Sequence, residues 1–276
     1  MKEPWKGYVK PFRIWGNLYF VGTEPASTHI VDTGDGLILF DSGYQQSLYL
    51  VIHNMHLLGL NPLHLKYIVH THGHIDHMGA TRALIELTKA RTFLGEADKD
   101  YVNGVRDLSY AKELGMDFTE FFDADVLLND GDKIRLGNTE ITAVAIPGHT
   151  EGAMSYFFDV YDGERVFRAG LHGGMGINTL TDEFLSVHHL PFSLREDFIN
   201  SMNRLKKEKV DIFLGNHMQH NDTLGKYQKI VNGDLDAFVN PREWADFCEL
   251  AIQNLDALCK YESNLLNIGY FSHREI

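Results

Sequence analysis

The hydrophobic positions of this chain fall mostly into short runs, a pattern typical of β-strands. Runs bounded by polar residues or glycine lie at residues 66–69, 91–94, 140–146, 155–160 and 165–169. Two dipeptides, Asp162-Gly163 and Gly131-Asp132, favour hairpin turns beside such runs. The stretch from Gly170 to Arg195, rich in glycine and histidine, is predicted to be irregular.

Besides the segment that directly follows residue 77, helical spacing is present in four segments. The first is a stripe of apolar residues three and four positions apart, made by Leu48, Val51, Ile52, Met55 and Leu58. The other three cover about residues 195–207, 222–231 and 241–261. Strands and helices in this order predict sheets packed inside the molecule, with helices outside them.

Side chains that bind metals are concentrated after one of the apolar runs. Tyr67-Ile68-Val69 leads into His70-Thr71-His72-Gly73-His74-Ile75-Asp76-His77, and a helical pattern follows. Because His72 and His74 are two residues apart, both imidazoles project to the same side of an extended backbone. The chain then turns, so that Asp76 and His77 can reach the same space. Imidazole and carboxylate suit Zn²⁺ and related ions. We therefore predict a metal site here, and not a surface loop that is histidine-rich by chance.

The spacing His-x-His-x-Asp-His resembles the hallmark of the metallo-β-lactamase superfamily. Two later segments match the family's other metal motifs in order: Pro147-Gly148-His149-Thr150, after the run at 141–146, and Gly215-Asn216-His217, after the run at 210–214. Residues 17–23 and 36–43 are similar to the family's opening hairpins.

The resemblance covers about residues 12–220 and implies an α+β fold. In that fold, an αββα sandwich, two mixed sheets pack together with helices on the outer faces, and the metal site lies at one edge between the sheets. We expect a single domain over residues 1–276 with a C-terminal helical extension at about 222–276.

The resemblance also implies two metal sites, with the ligand pattern of the third β-lactamase subclass. His72, His74 and His149 match the first site, and Asp76, His77 and His217 match the second. Two Zn²⁺ per chain are expected, with other divalent ions such as Fe or Mn as alternatives. Each ion keeps a position open for water, whose pKa Zn²⁺ can lower to ~7. Asp76 is expected to act in catalysis by orienting the resulting hydroxide.

Four residues are candidates for supporting the metal ligands or contacting substrate. Asp41 matches a family aspartate that supports the ligands, or it forms a turn before Ser42-Gly43. His172 is a stand-in ligand, a substrate contact or a structural hydrogen-bonder. His188 is a candidate for substrate binding, and His220, three residues after His217, for supporting that ligand.

Leu171 marks a departure from most hydrolases of the superfamily. Those hydrolases carry at this position an aspartate that bridges the two ions, and leucine cannot bind metal. The β-lactamases also lack the bridging aspartate, so this departure favours the lactamase-like branch, although that branch's nearby serine is absent too.

Composition limits the partners. The chain has 276 residues and a net charge of −13, without a basic stripe to bind nucleic acid. No run is long enough to span a membrane, and the start has no apolar leader segment, so a cytoplasmic protein is expected. Cys248 and Cys259, the only cysteines, are too far apart on one helix to form a disulfide.

The function predicted is hydrolysis of a small molecule. The first hypothesis is a binuclear zinc-dependent, β-lactamase-like hydrolase that opens a cyclic amide with a metal-bound hydroxide. The alternative is a non-lactamase member of the superfamily that hydrolyses a lactone, a thioester or a phosphoester. A non-catalytic metal-binding scaffold is the third hypothesis, and it is disfavoured because all six ligand positions are intact.

Overall fold

The computed structural model describes the backbone of residues 3–272 and the side chains of residues 3–264. The first of its two sheets has seven strands in chain order: β1 (Phe12–Trp15), β2 (Leu18–Phe20), β3 (His29–Asp32), β4 (Leu37–Phe40), β5 (Leu65–Val69), β6 (Arg91–Gly95) and β7 (Val126–Leu128). The pairs from β1 to β4 are antiparallel, whereas those from β4 to β7 are parallel.

The second sheet has five strands in the order β12-β11-β10-β9-β8. They are β8 (Lys133–Leu136), β9 (Thr139–Ala145), β10 (Met154–Tyr161), β11 (Val166–His172) and β12 (Ile212–Gly215). Only β11 and β12 pair in parallel. The turn predicted at Asp162-Gly163 joins β10 to β11. The hairpin predicted at Gly131-Asp132 is wrong, because that turn connects the two sheets and residues 137–138 link β8 to β9.

Eight α-helices accompany the sheets within the described residues. They are α1 (Leu48–Leu57), α2 (Ile75–Met78), α3 (Thr81–Thr88), α4 (Lys99–Val102), α5 (Asp182–Val187), α6 (Leu194–Leu205), α7 (Thr223–Val231) and α8 (Glu243–Ser272). The prediction of an irregular stretch from Gly170 to Arg195 is therefore wrong in part. It contains α5, whose first turn is capped by the Thr181 hydroxyl accepting from Phe184 N–H.

Helices α7 and α8 lie where helical patterns were predicted at about 222–231 and 241–261. Residues 273–276, the end of the predicted C-terminal extension, lie outside the described part. No helix in the described part combines the length and the apolar character needed to cross a bilayer. Cys248 and Cys259 are not joined in a disulfide.

Three apolar layers hold the sandwich together. Strand alternation is visible in β4, where Ile38 and Phe40 face the core between the sheets and Leu39 faces α1 and α3. In β10, Tyr156 faces the core between the sheets, whereas Phe157 faces α6 and α8. Both sheets thus bury two faces, which confirms the predicted αββα arrangement of two mixed sheets with helices outside.

Strand direction explains where the polar loops gather. Because β4, β5 and β6 are parallel, the loops after them emerge at the same edge of the first sheet. In the second sheet β9, β11 and β12 share one direction, so the loops after them also emerge together. The predicted metal motifs follow β5, β9 and β12.

Candidate metal centre

Three histidine side chains from two loops form a compact triad. His72 and His74 follow β5, and His149 follows β9. The ring centroids of each pair of these imidazoles are 4.7 Å apart. One nitrogen from each ring lies within 4.8 Å of the others, so a single ion could contact all three.

A second group lies beside the first. His77 Nε2 is 3.2 Å from Asp76 Oδ2 and 3.3 Å from His217 Nε2, and His217 Nε2 is 3.4 Å from the same carboxylate oxygen. Tetrahedral zinc with bonds of ~2.0–2.1 Å places its ligand atoms roughly 3.3 Å apart. The three side chains are therefore spaced as ligands of one ion. The rings of His72 and His77 are 4.3 Å apart, so the two groups adjoin.

Hydrogen bonds to the outer ring nitrogens direct the other nitrogens inward. Nδ1 of His149 donates to the Gly176 carbonyl at 2.7 Å, and Nδ1 of His217 donates to the Pro25 carbonyl at 2.9 Å. Such partners fix the orientation of histidines that bind metals. Nε2 of His72 is buried and has no hydrogen-bond partner, which is costly without an ion. The donor set therefore fits a metal.

Asp41 is the main support of this arrangement. Its Oδ2 accepts from His77 Nδ1 and from Thr71 Oγ1, both at 2.8 Å, and its Oδ1 accepts from Thr71 N–H at 2.7 Å. Since the Thr71 hydroxyl donates to Asp41, its oxygen can accept from His72 Nδ1, 3.0 Å away. The backbone of Asp41 is also left-handed, with φ of 56°. Both sequence interpretations of Asp41, as ligand support and as turn residue, thus match its position.

The electrostatics favour the neutral form of most of these imidazoles. Burial and the neighbouring histidines lower the pKa of His72 and His74 well below 6.5, and burial lowers that of His149 to about 4. Burial alone would raise the pKa of Asp76 and lower that of His77. Their mutual attraction outweighs burial, so the pKa of Asp76 is lowered and that of His77 is raised to about 10. The Asp76 carboxylate and the His77 imidazole therefore stabilise each other's charged forms.

A cavity of about 260 Å³ opens over the two groups. It is lined by Tyr44, His74, Asp76, Tyr110, Leu114, His149, Gly174, Met175, Gly176, Asn178, Asn216, His217, Gln219 and His220. The tyrosines and carboxamides in this set were not predicted, because none of them is a ligand-type residue of the metal motifs, although Asn216 lies within one of those motifs. A larger cavity of about 530 Å³, beside Arg13, Trp15 and Arg165, shares no residue with the metal centre.

The sequence interpretation also missed Asp98, in the loop after β6. Its side chain is fully buried and accepts hydrogen bonds from the loops that carry His72, His74 and His149. Burial raises the pKa of Asp98 to about 6, although these donors oppose the shift. A signal was available: β5 and β6 are neighbouring parallel strands, so a carboxylate soon after β6 should lie near the loop after β5.

The remaining predicted histidines lie in different places. His220 lines the cavity, with its ring 5.2 Å from that of His217 and its Nδ1 buried without a partner. His188 does not line it: its Nε2 is 2.9 Å from Glu113 Oε1, beside a neighbouring cavity. The structure therefore places His188, a candidate for substrate binding, outside the lining of the cavity over the metal centre.

The position of His172 bears on the three alternatives given for it: stand-in ligand, substrate contact or structural hydrogen-bonder. Its Nδ1 accepts from Gly174 N–H, its Nε2 faces Met202 Sδ at 3.3 Å, and its ring packs on Trp244 and Phe247. His172 therefore faces the helices and not the metal centre. This position favours the third alternative, a structural hydrogen-bonding role. Its neighbour Leu171 faces the opposite side of β11, within the core between the sheets.

Comparison with known proteins identifies the class of protein that this fold and site define. The profile of the Metallo-beta-lactamase superfamily matches residues 21–217. The chain belongs to this superfamily, which confirms the predicted resemblance. It is similar to BJP-1, a subclass B3 metallo-beta-lactamase of Bradyrhizobium japonicum, with 25% identity, a TM-score of 0.85 and coverage of 96% of this chain and 99% of that one.

Three further similarities bear on function. The native FEZ-1 metallo-beta-lactamase from Legionella gormanii shows 27% identity and a TM-score of 0.84, over 93% of this chain and 98% of that one. A hydroxyacylglutathione hydrolase of Pelagibacter ubique is 26% identical to this chain, and the match covers 63% of this chain and 66% of that protein. The chain spans 41% of PksB, a probable polyketide biosynthesis zinc-dependent hydrolase of Bacillus subtilis, at 28% identity. These relatives support the prediction of a metal-dependent hydrolase.

Proposed function

We propose that the protein is a binuclear zinc-dependent hydrolase that opens a cyclic amide, in the manner of a β-lactamase. The observation that carries this proposal is the pair of adjoining ligand groups, His72, His74 and His149 beside Asp76, His77 and His217. The whole-length similarity to subclass B3 enzymes supports the same substrate chemistry.

The residues of the chain have distinct parts in such a reaction. Zinc, when bound, supplies a Lewis acid that polarises a carbonyl and lowers the pKa of water. Asp76 has a lowered pKa and remains ionised at neutral pH. Its carboxylate can therefore accept a hydrogen bond from a donor group and orient that group. Asp41 holds His77 and, through Thr71, His72 in place.

The cavity lining indicates which substrate groups can be recognised. None of the described residues that line it is a lysine or an arginine. A substrate carboxylate would therefore meet no cationic side chain there, only the neutral hydrogen-bonding groups of residues such as Tyr110, Asn178 and Gln219. We infer that the substrate is polar and need not carry a carboxylate beside the bond that is cleaved.

A second candidate is hydrolysis of a thioester, lactone or phosphoester at the same centre. The similarity to hydroxyacylglutathione hydrolases favours the thioester in particular. The polar lining suits all of these substrates, because their carbonyl or phosphoryl oxygens can accept the same hydrogen bonds.

A substrate panel tests both candidates. Zinc-loaded protein is assayed with a chromogenic cephalosporin, its methyl ester, a γ-lactone, an S-acyl glutathione and a phosphodiester. We expect the highest kcat/KM for the cephalosporin pair, with the ester no poorer than the free acid. The matched control is the double variant His72→Ala with His74→Ala, which should be inactive. Preference for the S-acyl glutathione by tenfold or more would replace the first candidate with the second, and activity that survives in the double variant would contradict both.

A further inference from the structure

Asp98 joins the two loops that supply the histidine triad. Its Oδ2 accepts from Gly73 N–H at 2.8 Å and from Thr150 Oγ1 at 2.7 Å, and its Oδ1 accepts from Gly152 N–H at 2.6 Å. The side chain is fully buried and has no ion-pair partner among the described residues. Three donors, not a cation, therefore offset the cost of burying this carboxylate.

The positions of the donors relate Asp98 to one ligand group and not to the other. Gly73 lies between His72 and His74, and Thr150 directly follows His149. Every ligand of the first group is thus adjacent in sequence to a donor of Asp98. In the second group, His77 is held by Asp41 and His217 by the Pro25 carbonyl, neither of which contacts Asp98.

Close packing against residues 98–101 fixes the distance between the two loops that carry the histidine triad. A Cβ on Gly73 would lie 2.7 Å from Cβ of Tyr101, and a Cβ on Gly152 would lie 2.8 Å from Oδ1 of Asp98. The Tyr101 hydroxyl also donates to Glu151 Oε2 at 3.0 Å. Both loops are therefore pressed against the segment 98–101, and the carboxylate of Asp98 lies at the centre of the contact.

We propose that Asp98 is a positioning residue that fixes the spacing of His72, His74 and His149, and thereby sets the metal affinity of the first site independently of the second. This inference rests on the proposed binuclear centre. A carboxylate suits this position because its two oxygens accept from both loops at once. In an asparagine one of these oxygens is replaced by an NH2 group, which cannot accept a hydrogen bond from the donor that it faces.

Thr150 provides a mild test, because Thr150→Val removes one donor to Asp98 while keeping the side-chain shape. The zinc affinity of the first site is measured alone by chelator competition in a His217→Ala background, and that of the second site alone in a His149→Ala background. We expect Thr150→Val to weaken the first site by about tenfold, at the lower end of the range for residues that orient metal ligands. The second site should change by less than about twofold. Thr150→Ser keeps the hydroxyl and should restore the affinity of the first site.

Asp98→Asn should act in the same direction with a larger effect, up to about a hundredfold. Its matched control is Asp125→Asn, since Asp125 also accepts from a backbone N–H and a hydroxyl, both of Thr92, but contacts no metal loop. The control should lower stability without changing zinc affinity.

The outcomes separate this inference from the proposed function. Wild-type protein that binds no zinc would overturn both. If wild-type protein binds two ions and the first site of the Thr150→Val variant binds zinc as tightly as that of the parent, the role of Asp98 alone would be overturned. Equal weakening of both sites would also overturn it, because general loosening of the fold would then explain the loss.

Discussion

At the scale of single residues, the centre depends on which nitrogen of each imidazole faces inward. The outer nitrogens of His77, His149 and His217 donate to Asp41, the Gly176 carbonyl and the Pro25 carbonyl. These contacts hold the rings before any ion arrives, so binding an ion costs less side-chain entropy. Asp41 contributes most, because it contacts both His77 and the residue that supports His72.

Asp41→Asn tests this contribution with little disturbance of the backbone. Asparagine tolerates the left-handed conformation of this position better than alanine does, so the loop should keep its shape. One oxygen is replaced by an N–H group, which faces donors and cannot accept from them. We expect the zinc affinity of the second site to fall by 10- to 100-fold. Chelator competition measures the loss, and an unchanged affinity in a folded variant would contradict the role of Asp41.

At the scale of elements, parallel strands bring the ligands together by ending at one edge of the sandwich. The six proposed ligands were predictable because three segments resemble the superfamily's metal motifs, and each of these segments follows an apolar run in the sequence. The side of β11 on which His172 lies was not predictable, since it depends on strand pairing and a shift of one residue reverses it. Asp98 was missed because it belongs to no metal motif, and its closeness to the loop after β5 depends on the parallel pairing of β5 with β6.

Other differences between prediction and structure also have local physical causes. The hairpin at Gly131-Asp132 was assigned from turn propensity, yet the chain there changes sheet, which propensity does not encode. Helix α5 was hidden among glycines and histidines, although the N-cap Thr181 followed by Asp182 and Glu183 is a helix start that could have been recognised.

Leu171→Asp tests the face of β11 opposite His172. The parent side chain is 1% exposed, so an aspartate here should lower the unfolding free energy of metal-free protein by about 3 kcal/mol or more. If the new carboxylate reaches the ions, zinc should raise the Tm of the variant by more than it raises the parent's. The variant should then also bind the second ion more tightly than the parent does. Leu171→Asn is the uncharged control. A zinc-induced rise in Tm no larger than the parent's would show that Leu171 does not face the ions.

At the scale of the whole molecule, burial of neutral histidines couples stability to pH. Burial lowers the pKa of His29 and of His70 from 6.5 to about 4 in the folded protein, against the opposing effect of Asp41. Between pH 6.5 and about pH 4 the unfolded chain therefore binds more protons than the folded one. Stability contributed by the neutral rings is therefore complete above pH 6.5 and is lost as the pH falls toward 4.

Urea unfolding of metal-free protein at a series of pH values measures this loss. His29→Phe removes one titrating group while keeping an aromatic ring beside Phe20. We expect the dependence of the unfolding free energy on pH, in this acidic range, to decrease by up to about 1.4 kcal/mol per pH unit in the variant. A variant with the same pH dependence as the parent would show that His29 is not buried in neutral form.

The most direct test of the metal centre is a count of zinc ions per chain. Parent, His149→Ala and His217→Ala proteins are dialysed to equilibrium against buffered zinc, and zinc is then determined by elemental analysis. Two adjoining sites predict two ions in the parent and one in each variant, because each substitution removes a ligand of only one group. A parent that retains fewer than one ion, or variants that retain as many ions as the parent, would contradict the assignment of these six residues as ligands.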